Sequence, residues 1–493
     1  MSAAPDILLE KVNECFVRVI TEDSGIIMEL GEYYTFFVDG YKFMPAFRNR
    51  MWDGKIRLFN NRNGCLPHGL VDNLFAFAKA RGYTIDTEFS RESTFTSTDF
   101  DEFIGAINLP IEPRDYQLAA FHSSIAKQRR LVVSPTGSGK SLIIYLLAVY
   151  YFSNYEGKIL LVVPTTSLVE QMYKDFTDYS SENGFDVAGN THRIYAGKEK
   201  INFNERIVIT TWQSAIRCPR DWGKQFGMVI GDEAHLFKAK SLNTIMERLI
   251  HANFRIGTTG TLDDVQVNEL VLTGHFGEPM KVVTTKALMD SNTLAQLEIK
   301  CLVLKYPDAV RKAFGKKTYH EEIDFIIADD KRNRLIENLA LDQKKNTLIL
   351  YNRVEKHGEP LFRSIQAKAD PKRKIFFVSG SVGADERESI REITEKEDNA
   401  IIVASLGTFS VGINIKRLSC LIFAAPTKSQ VRTLQSIGRG LRKTADNETT
   451  VVYDISDNLS WGKRQNYTLK HAIARVKIYQ KEELNHHAIE INI

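Results

Sequence analysis

Ser134-Pro-Thr-Gly-Ser-Gly-Lys-Ser141 is the stretch that decides the fold of this 493-residue chain. A β-branched run, Leu131 to Ser134, leads into it and an apolar run beginning near Lys140 leads out, so it reads as strand, glycine-rich turn and helix. The glycines let successive backbone N–H groups point at one anion, at the positive end of the helix. In a loop of this kind Pro135, Thr136, Gly137, Ser138 and Gly139 cradle phosphate oxygens. Lys140 would reach the β and γ phosphates of ATP, and Ser141 would ligate Mg²⁺. The first position is Ser134, where the simplest form of the pattern has Gly.

Working outward, the same arrangement repeats. Short apolar runs at Ile159–Val163, Ile207–Thr211, Met228–Gly231 and Phe254–Gly257 each precede a polar turn and an amphipathic segment, which predicts a parallel α/β sheet. A second series follows at Thr347–Tyr351, Lys374–Val378, Ala400–Ala404, Cys420–Ala424 and Thr450–Tyr453. Two similar α/β domains in tandem are expected, at 106–290 and 291–456, joined around Asp290 to Gln296. Residues 1–105 are aromatic-rich with short alternating runs and form a separate small α+β domain, ending in a Ser/Thr/Asp-rich linker, Ser90 to Asp101. Residues 457–493 read as a helical tail too short for a core of its own.

A composition of 43% hydrophobic and 26% charged residues excludes a disordered chain. The formal net charge of +4 conceals an uneven distribution. Residues 1–105 carry 11 basic and 16 acidic side chains (−5), 106–290 carry 20 and 19 (+1), 291–456 carry 28 and 22 (+6), and the tail 6 and 4 (+2). Inside the acidic first block, Tyr41 to Arg62 holds six basic residues against Asp53 alone. Five scattered cysteines without a Cys-x-x-Cys pair indicate neither a disulfide framework nor a zinc site, and a reducing, cytoplasmic compartment is expected. The amino terminus lacks a secretory pattern, and the longest apolar run, Leu142 to Phe152, is far short of the roughly 18 residues a membrane span needs. No membrane partner is expected.

About ninety residues after the phosphate loop, Met228-Val-Ile runs into Gly231-Asp-Glu-Ala-His235. Open α/β sheets bind ligands at the carboxyl ends of their strands, so this carboxylate pair can meet the loop. Asp232 would hold Mg²⁺, mostly through water, and Glu233 would orient and deprotonate the attacking water. In the second domain, Arg439 and Arg442 stand three apart and would share one helix face, placed to reach across a cleft to the γ-phosphate.

These stretches together resemble the superfamily 2 helicases and translocases, over most of residues 114–442. Arg114-Asp-Tyr-Gln117 resembles the family's Q motif, which implies nucleotide contact by Arg114 and adenine reading by Gln117. Pro164-Thr-Thr-Ser-Leu168 and Thr210-Thr-Trp-Gln213 resemble motifs Ia and Ib, implying nucleic-acid backbone contact at Thr165, Thr166 and Thr211. Thr259-Gly-Thr261 stands where the family has Ser-Ala-Thr, departing at Gly260. Ser405 to Asn414 resembles motif V through Thr408, Gly412 and Asn414, the resemblance implying nucleic-acid contact at Thr408 and nucleotide contact at Gly412. Gln435-Ser-Ile-Gly-Arg-Gly-Leu-Arg442 matches motif VI and implies catalytic roles for Gln435, Arg439 and Arg442. The resemblance makes the tandem domains RecA-like.

The amino-terminal block narrows the resemblance. Asp39-Gly-Tyr-Lys-Phe-Met-Pro-Ala-Phe47, Trp52-Asp-Gly-Lys-Ile-Arg-Leu58 and Leu66-Pro-His-Gly-Leu70 resemble the small first domain of the UvsW-type helicases of T-even-like phages, with XPB-type helicases more distant. That family implies an ATP-dependent DNA helicase acting on recombination junctions, stalled forks and R-loops, in the host cytoplasm. Its partners would be branched DNA, single-stranded DNA or RNA–DNA hybrid, with recombination or single-strand-binding proteins as candidates. In the same block, Lys42, Arg48, Arg50, Lys55 and Arg57 are candidate DNA contacts, interleaved with Tyr41, Phe43, Phe47 and Trp52. The aromatics could equally be the core of a small domain, and Trp52 reads as core. The basic clusters Arg311–Lys317, Lys331–Arg334 and Lys372–Lys374 and the pair His486-His487 read as solvated surface. Two rival functions remain at this point: an RNA helicase or double-strand translocase, and a nucleotide-switched binding or annealing protein.

Overall fold

The structure is a computed structural model that describes residues 4–38, 40–89, 95–195, 203–236, 239–260, 262, 266–315, 317–408, 418–425, 438 and 449–493. Two compact units divide the chain: Met1–Ser134 with Gly139–Val282, and Pro135–Ser138 with Val283–Ile493.

The first unit opens with a four-stranded sheet in the order Cys65–Pro67, Phe16–Ile20, Ile7–Lys11, Ile85–Thr87. Alternation puts Ile7, Leu9, Val17 and Val19 on one buried face, where the helices Ser24–Tyr33 and Val71–Arg81 cover them with Ile26, Leu30, Leu74 and Phe77. A separate two-stranded hairpin, Thr35–Phe37 with Lys55–Arg57, carries the aromatic and basic excursion between its strands.

Burial ties this small domain to the sheet that follows. Arg255, 1% exposed, donates to the carbonyls of Met246, Leu249 and Ala252 and to Cys15 Sγ at 3.0 Å. Arg129 donates to the Glu14 carbonyl at 2.7 Å and to Glu14 Oε2 at 2.8 Å. Gly69 lies so close to the helix Gln266–Phe276 that a Cβ would stand 2.1 Å from the Thr273 carbonyl oxygen.

The seven-stranded sheet of this unit runs Pro279–Lys281, Arg129–Val133, Phe254–Thr259, Phe226–Gly231, Lys158–Val163, Ile207–Thr211, Thr191–Ile194, with every pairing parallel. Its inner strands are buried on both faces, which is why they read as unbroken apolar runs rather than alternating ones. The described part of the stretch read as a linker, from Phe95 to Asp101, is packed structure. Thr96 and Asp99 form a reciprocal capping box that starts the helix Ser97–Ala106, and Phe95, Phe100, Phe103 and Ile104 pack on the main core.

The second unit holds another all-parallel sheet, in the order Ile375–Val378, Ile401–Ser405, Thr347–Tyr351, Cys420–Phe423, Thr450–Asn458, Leu297–Lys305, His486–Asn492. The chain enters this unit at Val283, earlier than Asp290–Gln296, because the helix Thr285–Asp290, capped by Thr284, already belongs to it. The expected helical tail is corrected. Only Tyr467–Lys481 is helical, and His486–Asn492 then adds to the sheet edge beside Leu297–Lys305, so His486 and His487 lie in a strand. No helix among the described residues is long and apolar enough to cross a membrane.

Candidate active site

The strand order fixes which residues can meet. Arg129–Val133, which feeds the phosphate loop, is separated from Phe226–Gly231, which ends at Asp232, by the strand Phe254–Thr259. All three are parallel, so their carboxyl ends open on one edge.

The loop has the backbone the glycines predict. Gly137 and Gly139 sit at φ +87° and +81°, a region costly for any residue with a Cβ. Ser138 donates from its backbone N–H (3.2 Å) and its hydroxyl (2.7 Å) to the Pro135 carbonyl, and Gly139 caps the helix Lys140–Asn154. Lys140 Nζ donates to the Ser134 carbonyl at 3.2 Å and lies 3.5 Å from Glu233 Oε1. Gln117, 2% exposed, is drawn into the same place: its Nε2 donates to the Gly139 carbonyl and its Oε1 accepts from the Arg114 N–H. Arg114 Nη1 in turn donates to the Tyr116 hydroxyl.

Asp232 is 7% exposed. Its Oδ1 accepts from the Thr258 hydroxyl at 2.6 Å and from the Glu233 N–H at 2.9 Å. Burial first, then the charge of Glu233, pushes its carboxyl up to about 6, against the opposing pull of Lys140 and the Thr258 hydrogen bond. Glu233 is held at φ +48°, the left-handed region that few residues other than glycine adopt, at the point where its side chain turns toward Lys140. His235 Nδ1 lies 2.6 Å from Thr259 Oγ1 and 3.5 Å from Glu233 Oε2. The loop hydroxyl Ser141 Oγ stands 2.9 Å from the Tyr179 hydroxyl.

Two adjoining carboxylates, the second of which raises the proton affinity of Asp232, together with a serine hydroxyl at the start of the loop helix, make a donor set of hard oxygens suited to Mg²⁺. Thr258, Tyr179 and the bond from His235 to Thr259 were not singled out from sequence. Thr258 could have been found only by knowing that its strand lies between the two motif strands.

The remaining sequence candidates are placed as follows. Thr165 caps the helix Thr166–Tyr179, and Thr166 is exposed beside it. Thr211 is only 4% exposed, and its hydroxyl accepts from the Ser214 N–H as a helix cap, so the side chain faces inward. Thr408 Oγ1 accepts from Ser405 Oγ at 2.6 Å. Lys42, Arg48, Arg50 and Arg57 are exposed. Arg57 is ion-paired with Asp53, and Lys55 Nζ lies 4.9 Å from the Phe37 ring centroid. Gly412, Asn414, Gln435, Arg439 and Arg442 lie outside the described residues.

Three family models match the chain: a Type III restriction enzyme res subunit at residues 110–264, a DNA helicase UvsW amino-terminal domain at 6–88, and a helicase conserved C-terminal domain at 330–444. The ATP-dependent DNA helicase uvsW of Enterobacteria phage T4 is 36% identical over 97% of this chain and 98% of its own. A DNA 3'-5' translocase, XPB2 of Sulfurisphaera tokodaii, is 25% identical over 77% of this chain and 88% of its own. Among solved structures, a crystal structure of T4 UvsW superposes with a TM-score of 0.53 at 34% identity, covering 99% of both chains. A putative HsdR fragment of a type I restriction enzyme from Vibrio vulnificus reaches 0.58 at 18% identity, covering 85% of this chain and 74% of its own, a likeness of fold.

Proposed function

The chain belongs to the UvsW family of ATP-dependent DNA helicases, and on that premise we propose that it couples ATP hydrolysis to strand movement on branched DNA (recombination junctions and stalled forks) and on R-loops. The observation that carries the catalytic part is the constellation at one sheet edge: Lys140 within 3.5 Å of Glu233, and Asp232 fixed by Thr258.

Lys140 and the N–H groups of residues 136–139 bind the β and γ phosphates, holding the γ-phosphorus for in-line attack. Glu233 orients the attacking water and accepts its proton at a carboxylate oxygen. Ser141 and Asp232 would hold Mg²⁺, which supplies positive charge to the phosphate oxygens when bound. Arg439 and Arg442 supply further cationic charge to the γ-phosphate, Gln435 works beside them, and Gln117, Arg114 and Gly412 contact the nucleotide. Thr165, Thr166 and Thr408 contact the DNA backbone, and Lys42, Arg48, Arg50 and Lys55 contact it from the amino-terminal domain.

Lys140→Ala tests the assignment. ATP hydrolysis and strand displacement should both fall by on the order of 10³, with DNA binding retained. Persistent ATP-driven unwinding by that variant would overturn the motor. Running the wild type on forked DNA, four-way junctions, R-loops and RNA duplexes separates a DNA motor from an RNA helicase.

A further inference from the structure

The excursion between Phe37 and Lys55 separates its aromatics into two kinds. Phe37 stacks on Tyr41 with centroids 4.7 Å apart, and Tyr41 meets Phe47 edge-on at 4.7 Å. Gly54, at φ +81°, lets the Tyr41 ring lie where a Cβ would be 2.3 Å from it. Trp52 is half-buried, its Nε1 donating to the Lys55 carbonyl at 2.8 Å. Phe37, Tyr41 and Phe47 brace one another, with Phe37 51% exposed at the edge of the cluster. Phe43 belongs to no such cluster among the described residues and is 84% exposed, and Met51 is 77% exposed.

A single exposed apolar side chain needs no explanation, but the setting here is specific. Phe43 follows Lys42, and Met51 follows Arg50, whose backbone is held at φ +57°. Lys42, Arg48, Arg50 and Met51 line one cleft of about 640 Å³ together with the rings of Phe47 and Trp52 and the carboxylate of Asp53, and Phe43 stands outside it beside Lys42. Those three cations pair with no carboxylate among the described residues, whereas Arg57 is neutralised by Asp53. An exposed apolar ring beside an aromatic cluster, next to cations that meet no carboxylate among the described residues, complements a ligand with apolar faces strung on an anionic backbone.

We propose that Phe43, with Met51, is a stacking site for an unpaired DNA base at a strand junction, and that Lys42, Arg48 and Arg50 hold the flanking phosphates. The inference rests on the reading of the chain as a DNA helicase and gives it a residue that engages the branch.

The test uses the full chain and a DNA fork carrying 2-aminopurine at its first unpaired nucleotide. Wild type and Phe43→Trp should quench the probe and bind the fork alike. Phe43→Ala should lose the quenching and about tenfold in affinity, with the salt dependence unchanged because no charge is removed. Arg48→Gln combined with Arg50→Gln should instead flatten the slope of log affinity against log salt by about 1.4, from about 0.7 per single-strand phosphate contact. Wild-type quenching and affinity in Phe43→Ala overturn the proposal, as does an equal loss in Phe43→Trp or quenching with an RNA fork alone. If DNA stimulates ATP hydrolysis by the wild type while Phe43→Ala is silent, only this site fails. If no nucleic acid stimulates hydrolysis, the helicase reading fails with it.

Discussion

The two seven-stranded sheets are alike in topology class, yet they bury carboxylates to opposite effect. In the first, Asp232 takes hydrogen bonds from Thr258 and from the Glu233 N–H, with no arginine on it among the described residues, and is left near 6 by burial and by Glu233. In the second, Asp454 takes Arg475 Nε at 3.1 Å and Nη2 at 2.6 Å on Oδ1, and the Tyr479 hydroxyl at 2.8 Å on Oδ2. Asp457 likewise accepts from Arg332 and Tyr306, and both arginines are buried. A buried carboxylate gripped by a guanidinium fork is held in place by it, and removing either partner leaves the other buried without its counter-charge. One whose charge is only partly compensated keeps affinity for an incoming cation, the property the proposed catalytic edge needs.

The sharpest way to break this contrast is to neutralise one carboxylate of each kind. Asp232→Asn keeps an acceptor for Thr258 and relieves repulsion with Glu233, so ATP turnover should fall by on the order of 10³ while the melting temperature holds or rises. Asp454→Asn should do the reverse. Arg475 would be left buried without its counter-ion, destabilising the fold by about 3–5 kcal/mol, while turnover per folded molecule stays near wild type. Calorimetry and steady-state hydrolysis on the two variants decide it, and a shared phenotype would erase the distinction.

The same contrast explains what the sequence revealed. Central strands such as Ile159–Val163 and Thr347–Tyr351 are apolar on both faces, and that pattern is readable without any partner. Edge strands are readable only where they are apolar runs, as Ile375–Val378 is. Thr191–Ile194 is Thr-His-Arg-Ile, and His486–Asn492 is mostly exposed, so neither carries an apolar run, and the latter passed for helical tail. Leu297–Lys305 alternates buried and half-buried positions through much of its length and sat hidden beside the expected junction. At the site, Lys140, Asp232 and Glu233 announce themselves by local motif. Thr258 and Tyr179 act through contacts made by strand order and helix packing, which no local window contains.

Thr258→Val probes that hidden layer. The variant keeps the shape of the side chain and removes the donor to Asp232 Oδ1. On the proposed Mg²⁺ role of Asp232, turnover should drop about 10- to 100-fold, with little change in DNA affinity. An unchanged kcat would show that burial alone positions Asp232.

The smallest effect tests whether the two units resemble each other away from the edge. Each buries a histidine held neutral: His275, Nε2 2.7 Å from Asn243 Oδ1, and His357, whose ring nitrogens have no hydrogen-bond partner among the described residues. Burial, reinforced by Arg255 and Arg129 for the first and by Arg332 for the second, pulls both down to about 3. An unfolded histidine titrates near 6.5, so below that pH the unfolded chain binds a proton that the folded chain refuses. Stability is therefore full above about pH 6.5 and declines as pH falls toward 3, by about 1.4 kcal/mol per histidine between pH 7.5 and 5.5. His357→Leu should remove that dependence from the second unit without losing a hydrogen bond, whereas His275→Gln should remove it from the first while retaining an amide toward Asn243. Denaturant melts at the two pH values follow the change. An acid limb that stays as steep in both variants would place the proton uptake on other groups.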